Sequence, residues 1–344
     1  MCAGSLEKTV SALCRDSFRP EDEEYQLLKK LVELRNGDAG SRQNFCWILE
    51  EINAGIDAAI VRSHEQWVWL YYRITVSTWG QAAKAIPLHI LPITDTLKQD
   101  FSIGGWWWLY KQDVLGSAIR LRLVVPRESA RNINRYFTDA ISEYGYQLNT
   151  LAYEPEVRLF GGIAGIQVAH DYFCMDSYFL SHWAALNMSD QETILPAGLS
   201  IAIVMRLLRT VGLDSFETWD FAESLAAARK AGRPQDHELR PYRIMMAAIL
   251  PSLENVFSLN YGEQNDLLAA YIGQVDVFGD RIRRLYFEGN LECGLREILV
   301  PLVLFHWNRV GFGQRAQRNL SMTLAEAYRT IIGRSGPTSS LVSV

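Results

Sequence analysis

The stretch GGWWWLYKQDVLGSAIRLRLVV, residues 104–125, predicts two strands joined by a short turn that contains a glycine. WWWLYK and AIRLRLVV consist mostly of the aromatic and aliphatic residues that strands favour. In the second strand Arg120 and Arg122 stand two residues apart, so they share one face, roughly 6.5–7 Å apart. The alternation leaves two interpretations: charges solvated on a half-exposed sheet, or a pair that holds an anion or a carbonyl.

The three tryptophans of the first strand alternate between its two faces. Trp106 and Trp108 share one face, and Trp107 takes the other. Aromatic side chains dominate burial energetics, so at least one of the three must belong to the core. The others are left to line a site for a flat, apolar or peptidic ligand.

The segments on either side complete a repeating order of strands and helices. The order is β-α-β-β-α-β, the split βαβ arrangement of ferredoxin-like folds. Its further members are a strand at 66–76, a mostly helical segment at 79–99 interrupted by Pro87 and Pro92, a helix at 126–145 and a strand at 146–156.

The rest of the chain predicts helices, by apolar spacing and by stop signals. They lie at 19–37, 41–61, 163–186, 197–211, 215–230, 238–257, 264–280, 292–309 and 313–332. The fold class is therefore α+β: a sheet with helices on one face, joined to a helical C-terminal half. We expect a single domain over residues 1–332, with its sheet part at about 60–160 and its helical part at 161–332, and a disordered tail at 333–344.

Composition and charge exclude several classes of protein. The 344 residues carry a net charge of −5, which offers no basic footprint for nucleic acid. The N-terminus has no signal-peptide pattern, and no run of about 18 apolar residues predicts a membrane span. The five cysteines show neither CxxC nor zinc-ligand spacing, which indicates reduced thiols in a cytoplasmic protein with no metal site.

Two segments place polar or glycine residues where the pattern would not require them. YEPEVRLFGGIAG (153–165) opens a helix with glycines, which suits an anion or, as we prefer, tight packing of the chain. FCMDSYF (173–179) puts Asp176 inside an apolar helix. A buried carboxylate is costly unless it is paired, so a structural ion pair is the preferred interpretation.

The segment VLFHWNRVGFGQRAQRNLSM (303–322) carries His306, Asn308 and Arg309 near the end of an apolar helix. A histidine in this position is more often a hydrogen-bonded core residue than a catalyst. The other two are suited to capping carbonyls or binding a peptide backbone. The common hydrolase, zinc-protease, kinase and lactamase motifs are missing from the sequence.

Four of these stretches match one family in order and spacing. AIRLRLVV is followed by YEPEVRLFGG, then by FCMDSYF, and much later by FHWNRVGF. The series resembles the glutamate-elimination (C-terminal) domain of class I lanthipeptide dehydratases and the stand-alone proteins of that family from thiopeptide biosynthesis. The resemblance covers roughly residues 60–330.

The family has two branches, and this sequence departs from the elimination branch. Elimination enzymes remove glutamate from glutamylated Ser or Thr, whereas pyridine synthases join two dehydroalanines. The elimination pattern carries Arg-Tyr and then His before the R-x-R strand, Arg-Tyr before the double glycine, and His four residues before Asn-Arg. This chain instead has Leu109-Tyr110, Ala118, Leu159-Phe160 and Leu304 at those positions. His306 lies in the right region but is displaced by two residues, and these departures favour the cycloaddition branch.

The resemblance implies a formal aza-[4+2] cycloaddition in a thiazole-containing precursor peptide, with loss of water and of the leader peptide. It implies no cofactor. The partner would be the modified precursor peptide, leader plus dehydrated core, and the resemblance leaves room for transient contact with the dehydratase proteins. On this basis we predict His306, Tyr286 and Tyr261 as catalytic residues, and Trp106, Trp108, Arg120, Arg122, Glu154, Asn308 and Arg309 as substrate-binding residues.

Two alternatives stay open. One is an eliminase with a rearranged site, which would release glutamate from a glutamylated peptide. The other is a non-catalytic subunit that binds the leader peptide and presents the substrate to a partner.

Overall fold

The fold is described by a computed structural model that covers residues 66–187, 193–229, 232 and 234–335. The helices predicted at 19–37 and 41–61 lie outside these residues, and so does the end of the predicted tail. The described residues from Trp67 onward form one compact unit. The expected single domain over 1–332 stays a prediction.

Four antiparallel strands form the sheet. They are β1 (Trp67–Thr75), β2 (Gly105–Asp113), β3 (Gly116–Pro126) and β4 (Leu148–Leu151). Their order is β2-β3-β1-β4, so β2 and β4 are the edges. This order confirms the predicted ferredoxin-like arrangement, and the fourth strand is shorter than the predicted span of 146–156.

A two-residue turn fixes the register of the central hairpin. Asp113 pairs with Gly116 around Val114 and Leu115, and Gly116 has φ +92°, a conformation that glycine adopts freely. Counting back from this pair sets every pairing of β2 with β3, because the side-chain period of a strand is two.

Helices from the two crossover connections cover one face of the sheet. They are α1 (Trp79–Ala85), a π-helical segment (Ile86–Ile90), α2 (Leu91–Phe101) and α3 (Ala130–Glu143). On this face the Tyr72 ring stacks on Phe137 at 4.5 Å. Pro87 and Pro92 occupy opening positions of their segments, so the chain stays helical through both, with a wider π turn between them.

The C-terminal half is helical, as predicted. Its helices are α4 (Gly162–Leu186), α5 (Ala197–Val211), α6 (Ser215–Ala227), α7 (Asp236–Ile249), α8 (Leu253–Phe257), α9 (Asn265–Phe287), α10 (Leu295–Val310) and α11 (Gln314–Ser335). The predicted helix 238–257 is two helices, and α11 continues three residues into the predicted tail. Over the residues described here, none of the helices is long and apolar enough to cross a membrane.

The glycine segment before α4 supports a tight chain reversal. Gly161 and Gly162 have φ +78° and +93°, and the helix starts at the second of them. A Cβ on Gly165 would lie 1.7 Å from the Phe160 carbonyl oxygen. This geometry agrees with the preferred interpretation of close packing.

A polar cluster lies in the fully buried core between α4 and α10. Asp176 accepts hydrogen bonds from Tyr271 (2.7 Å), from His306 Nδ1 (2.8 Å) and from Arg309 Nη1 (2.5 Å). The side chains of Asp176, His306 and Arg309 have no exposed surface. Asp176 is thus the predicted buried ion pair, with two basic partners instead of one.

The buried cluster also forms a hydrogen bond to the sheet. Arg309 Nε donates to the Trp108 carbonyl oxygen at 2.9 Å, so one guanidinium joins α10, α4 and β2. Burial alone raises the pKa of Asp176, but His306 and Arg309 outweigh it and lower the pKa to about 2. The carboxylate therefore stays ionised at any physiological pH.

Candidate active-site cavity

A cavity of about 760 Å³ lies against the face of the sheet opposite α3. Its walls come from β1, β2 and β3, from the segment before α4, and from α4, α10 and the start of α11. Its lining includes Tyr71, Trp107, Leu109, Tyr110, Lys111, Gln112, Arg120, Arg122, Tyr153, Glu154, Leu159, Phe160, Phe173, Leu304 and Asn308. The volume lies within the range of small-molecule and cofactor sites.

Arg122 is the centre of an aromatic row across three strands. Trp107 of β2 and Tyr71 of β1 pair with Arg122 from either side in the strand register. The guanidinium carbon lies 4.1 Å from the Trp107 ring centre, 4.3 Å from Tyr71 and 5.5 Å from Tyr153. Such cation–π contacts hold the arginine in place without a carboxylate.

The Arg122 guanidinium has N–H donors that are not all used in hydrogen bonds. Its Nη1 donates to the Arg120 carbonyl oxygen at 3.1 Å, while its Nε has no acceptor among the described residues. Burial lowers the pKa of Arg122 to about 10, so the group is still a cation at neutral pH. The row therefore presents a positive charge and apolar rings to the same cavity.

Tyr153 and His170 form a close pair at the edge of this row. Tyr153 Oη and His170 Nε2 lie 2.6 Å apart, and the Trp69 ring packs against both. Burial, and then the charge of Arg122, lower the pKa of His170 to about 4. Burial raises the pKa of Tyr153. At neutral pH the imidazole is neutral and the phenol keeps its proton. In the tautomer whose Nε2–H donates to Tyr153 Oη, the phenol proton is left to donate into the cavity.

We expect His170 to titrate near pH 4 in the folded protein, against about 6.5 in an unfolded chain. Since the folded-state pKa is the lower one, protonation favours unfolding. The part of the free energy of unfolding that depends on a neutral His170 is therefore fully present above about pH 6.5, and it is lost as the pH falls toward 4. NMR of the imidazole ring would measure this directly, and an inflection near 6.5 in the folded protein would contradict the buried position.

The guanidinium of Arg120 is paired with a carboxylate. Its Nη2 donates to Asp113 Oδ2 at 2.6 Å, and Arg73 lies 3.5 Å from the same carboxylate. The hydrogen bond from Arg120 is the main cause that lowers the pKa of Asp113. Arg120 therefore shapes the wall of the cavity more than it supplies a free charge.

The structure brings some of the predicted site residues together and separates the others. Arg120, Arg122, Glu154 and Asn308 line the cavity. Trp106, Trp108, His306 and Arg309 lie outside its lining, in buried positions. Tyr261 and Tyr286 lie elsewhere on the helical half.

The three tryptophans lie in different places relative to the main cavity. Trp108 is fully buried, and its indole N–H donates to Ser181 at 3.1 Å. Trp106 shares its face and borders a second cavity, of about 730 Å³, on the other side of α4. Trp107 lines the main cavity instead, because the register places it directly opposite Arg122.

The predicted catalytic residues are likewise not at the cavity. His306 is fully enclosed between Asp176 and Ser200, whose Oγ lies 2.9 Å from Nε2, so no peptide can reach it. Tyr261 donates its hydroxyl to the Val256 carbonyl oxygen. Tyr286 is 43% exposed and outside the cavity lining. The buried position of His306 agrees with the interpretation preferred from the sequence, a hydrogen-bonded core residue.

Sequence reasoning missed the pair Tyr153 and His170. Tyr153 opens the YEPE stretch, whose glycines and Glu154 drew the interpretation, and His170 is one of the two histidines of α4. The two are 17 residues apart, and only the chain reversal at the double glycine brings them together. The one available signal was a histidine on an otherwise apolar helix.

Comparison with known proteins agrees with this architecture. A family model for the lantibiotic biosynthesis dehydratase C-terminus matches residues 69–328. The fold is similar to the tRNA-dependent lantibiotic dehydratase MibB from Microbispora sp. 107891, with TM-score 0.58 and 16% identity over 78% of this chain and 28% of that one. It is similar to TsrL, with TM-score 0.59 and 13% identity over 78% and 96% of the two chains.

A third solved structure, the pyridine synthase TbtD from thiomuracin biosynthesis, aligns with TM-score 0.48 and 13% identity over 76% of this chain and 99% of that one. No curated protein matches the sequence. The sheet and the helical half, with the cavity between them, define an α+β protein. The chain belongs to the lantibiotic biosynthesis dehydratase C-terminal family, because the family model covers most of its length.

Proposed function

We propose that the protein is a pyridine synthase of thiopeptide biosynthesis, acting by a formal aza-[4+2] cycloaddition on a dehydrated, thiazole-bearing precursor peptide. One observation carries the proposal. The apolar residues that replace Arg, Tyr and His of the elimination pattern converge on one cavity: Leu109, Leu159, Phe160 and Leu304 all line it. Ala118 is the exception, and it is buried in β3.

An elimination site must hold a glutamyl carboxylate and remove an α-proton. The four lining positions offer only hydrocarbon, so they provide neither a donor fork nor a base. The nearby Arg120 has Asp113 as its acidic partner. Arg122 keeps a cation at this cavity, so the argument against elimination rests on the four hydrocarbon positions, which supply no base and no further donor for a glutamyl group.

The proposed reaction needs positioning above all. Two dehydroalanines form two carbon–carbon bonds, one of them to the carbonyl carbon of an amide that reacts as its imidic-acid tautomer. Loss of that oxygen as water and of the leader as its carboxamide then leaves the aromatic pyridine. Holding two distant alkenes in contact supplies an effective molarity of about 10⁵ M or more, roughly 7 kcal/mol of the barrier.

The row around Arg122 would do this positioning. Trp107 and Tyr71 offer ring faces on which thiazoles can stack, and the guanidinium can donate to a peptide carbonyl oxygen. Tyr153, held by His170, would donate a proton or hydrogen bond to the reacting amide oxygen and to the departing water. No cofactor is needed for these steps.

The test uses the purified protein alone with the dehydrated, thiazole-bearing precursor peptide. We expect mass spectrometry to detect the intact leader released as a C-terminal amide, together with a new pyridine absorbance. An unchanged substrate would refute the proposal. Glutamate release from a matched glutamylated peptide would assign elimination instead, and leader binding without any mass change would assign a presenting subunit.

A further inference from the structure

The outer edge of strand β2 is covered over only part of its length. The backbone N–H of Trp108 donates to Ser177 Oγ at 3.2 Å, and its carbonyl oxygen accepts from Arg309. Both partners lie outside the sheet, so the backbone groups of Trp108 point away from β3. Since this direction alternates along a strand, the backbones of Tyr110 and Gln112 point the same way.

Beyond Trp108 the edge has no cover. Among the described residues, no backbone or side-chain group pairs with the amide of Tyr110 or of Gln112. Tyr110, Lys111 and Gln112 all line the main cavity. The chain thus presents unpaired N–H and C=O groups, which normally require a strand or a cover, at the wall of the candidate active site.

We propose that an extended segment of the peptide substrate adds to β2 as a further strand over Tyr110–Gln112, and so enters the cavity in a defined direction. This rests on the proposed function for the nature of the peptide. Main-chain hydrogen bonds would supply affinity that does not depend on sequence, which suits a core peptide whose side chains have been dehydrated and cyclised.

A second copy of the protein fits this edge less well than a peptide does. Three residues span roughly 10 Å, which is enough for two or three peptide units but short for a stable intermolecular sheet. The charged Lys111 lies within the segment, and charge on an edge opposes pairing between copies. The segment also lies on the wall of a concave cavity, where a single extended chain fits.

The test removes one outward amide without removing the strand. Gln112→Pro deletes the N–H that would bind the peptide, and proline is tolerated on edge strands. Gln112→Ala keeps this N–H and removes only the side chain, so the ratio of the two dissociation constants isolates the amide. We expect Gln112→Pro to bind the dehydrated, thiazole-bearing precursor peptide about threefold to tenfold more weakly than Gln112→Ala.

The matched control lies on the other edge of the sheet. The register with Tyr72 leaves the Thr150 amide of β4 pointing outward, away from the cavity lining. Thr150→Pro should therefore bind the peptide as the wild-type protein does. Circular dichroism would verify that each proline variant keeps the fold.

Hydrogen exchange of the wild-type protein gives a second readout. Saturating peptide should slow exchange of the Tyr110 and Gln112 amides, while the Lys111 amide, already bonded to β3, should change little. Equal affinities of the two Gln112 variants, unchanged exchange, or failure of the peptide to bind would overturn the inference. Protection that instead grows with protein concentration alone would assign the edge to a second copy and overturn it as well.

These outcomes separate the inference from the proposed function. Protected amides with no pyridine product would leave the strand addition standing and refute the reaction. Pyridine formation without any protection would do the reverse.

Discussion

Replacing Asp176 with asparagine is expected to lower the free energy of unfolding by about 3–5 kcal/mol. The substitution keeps the shape of the side chain but leaves Arg309 and His306 fully buried without the carboxylate that both contact. Urea denaturation followed by far-ultraviolet circular dichroism would measure the loss.

The control is on the same helix. Asp171 forms an exposed ion pair with Arg281 at 2.5 Å, so Asp171→Asn should cost less than about 1 kcal/mol. A similar small loss in both variants would show that the buried cluster contributes no more than a surface pair.

The contribution of Asp176 also has a defined pH window. Its pKa of about 2 in the folded protein lies below the value of about 3.9 for an unfolded chain. The stabilisation is therefore fully present above about pH 4, and it is lost as the pH falls toward 2. The difference in stability between the wild-type protein and Asp176→Asn should shrink over that interval.

Replacing Tyr153 with phenylalanine is expected to reduce the rate of pyridine formation by about 10²–10⁴-fold. The variant keeps the ring beside Arg122 and Trp69 but loses the hydroxyl that contacts His170. Rates would be measured from leader release by the wild-type and variant proteins with one precursor peptide.

Tyr286→Phe is the matched control, because it makes the same chemical change at an exposed position outside the cavity lining. It should keep the wild-type rate. A wild-type rate for Tyr153→Phe would show that Tyr153 has no part in the mechanism. A loss of rate in Tyr286→Phe alone would assign the catalytic role to Tyr286 instead.

Local patterns predicted the fold well because its elements are strongly patterned. The strand pair at 104–125 follows from period and turn residues, and the ferredoxin-like order follows from the sequence of the elements. The helix predicted from 126 begins at Ala130, because Pro126 still belongs to β3. The helical half was predicted within a few residues, with two exceptions. The predicted helix 238–257 divides where α7 ends at Ile249 and α8 begins at Leu253, and α9 continues to Phe287, beyond the predicted end at 280. Pro251 and Ser252 stand in that break, so the sequence carried a stop signal that apolar spacing alone does not take into account.

The site was predicted less well, because it depends on register and on long-range contacts. The choice of Trp106 and Trp108 over Trp107 could have been avoided by counting from the two-residue turn, which places Trp107 opposite Arg122. The pairing of His306 with Asp176 spans 130 residues, and nothing in the spacing of the two segments indicates it. The charged residues of the sequence are candidates for ion pairs, but the packing of α4 against α10 determines which of them are in contact.

The guanidinium of Arg309 bonds at once to α4, through Asp176, and to the backbone of β2, through Trp108. A lineage that changed Asp176 or Arg309 alone would pass through a destabilised intermediate, so the two should change together or not at all during divergence. The cavity positions Leu109 and Leu304 carry no such constraint. A protein whose buried residues stay constant while its cavity-lining residues vary can change its reaction by substitutions in the cavity wall, without a change of fold.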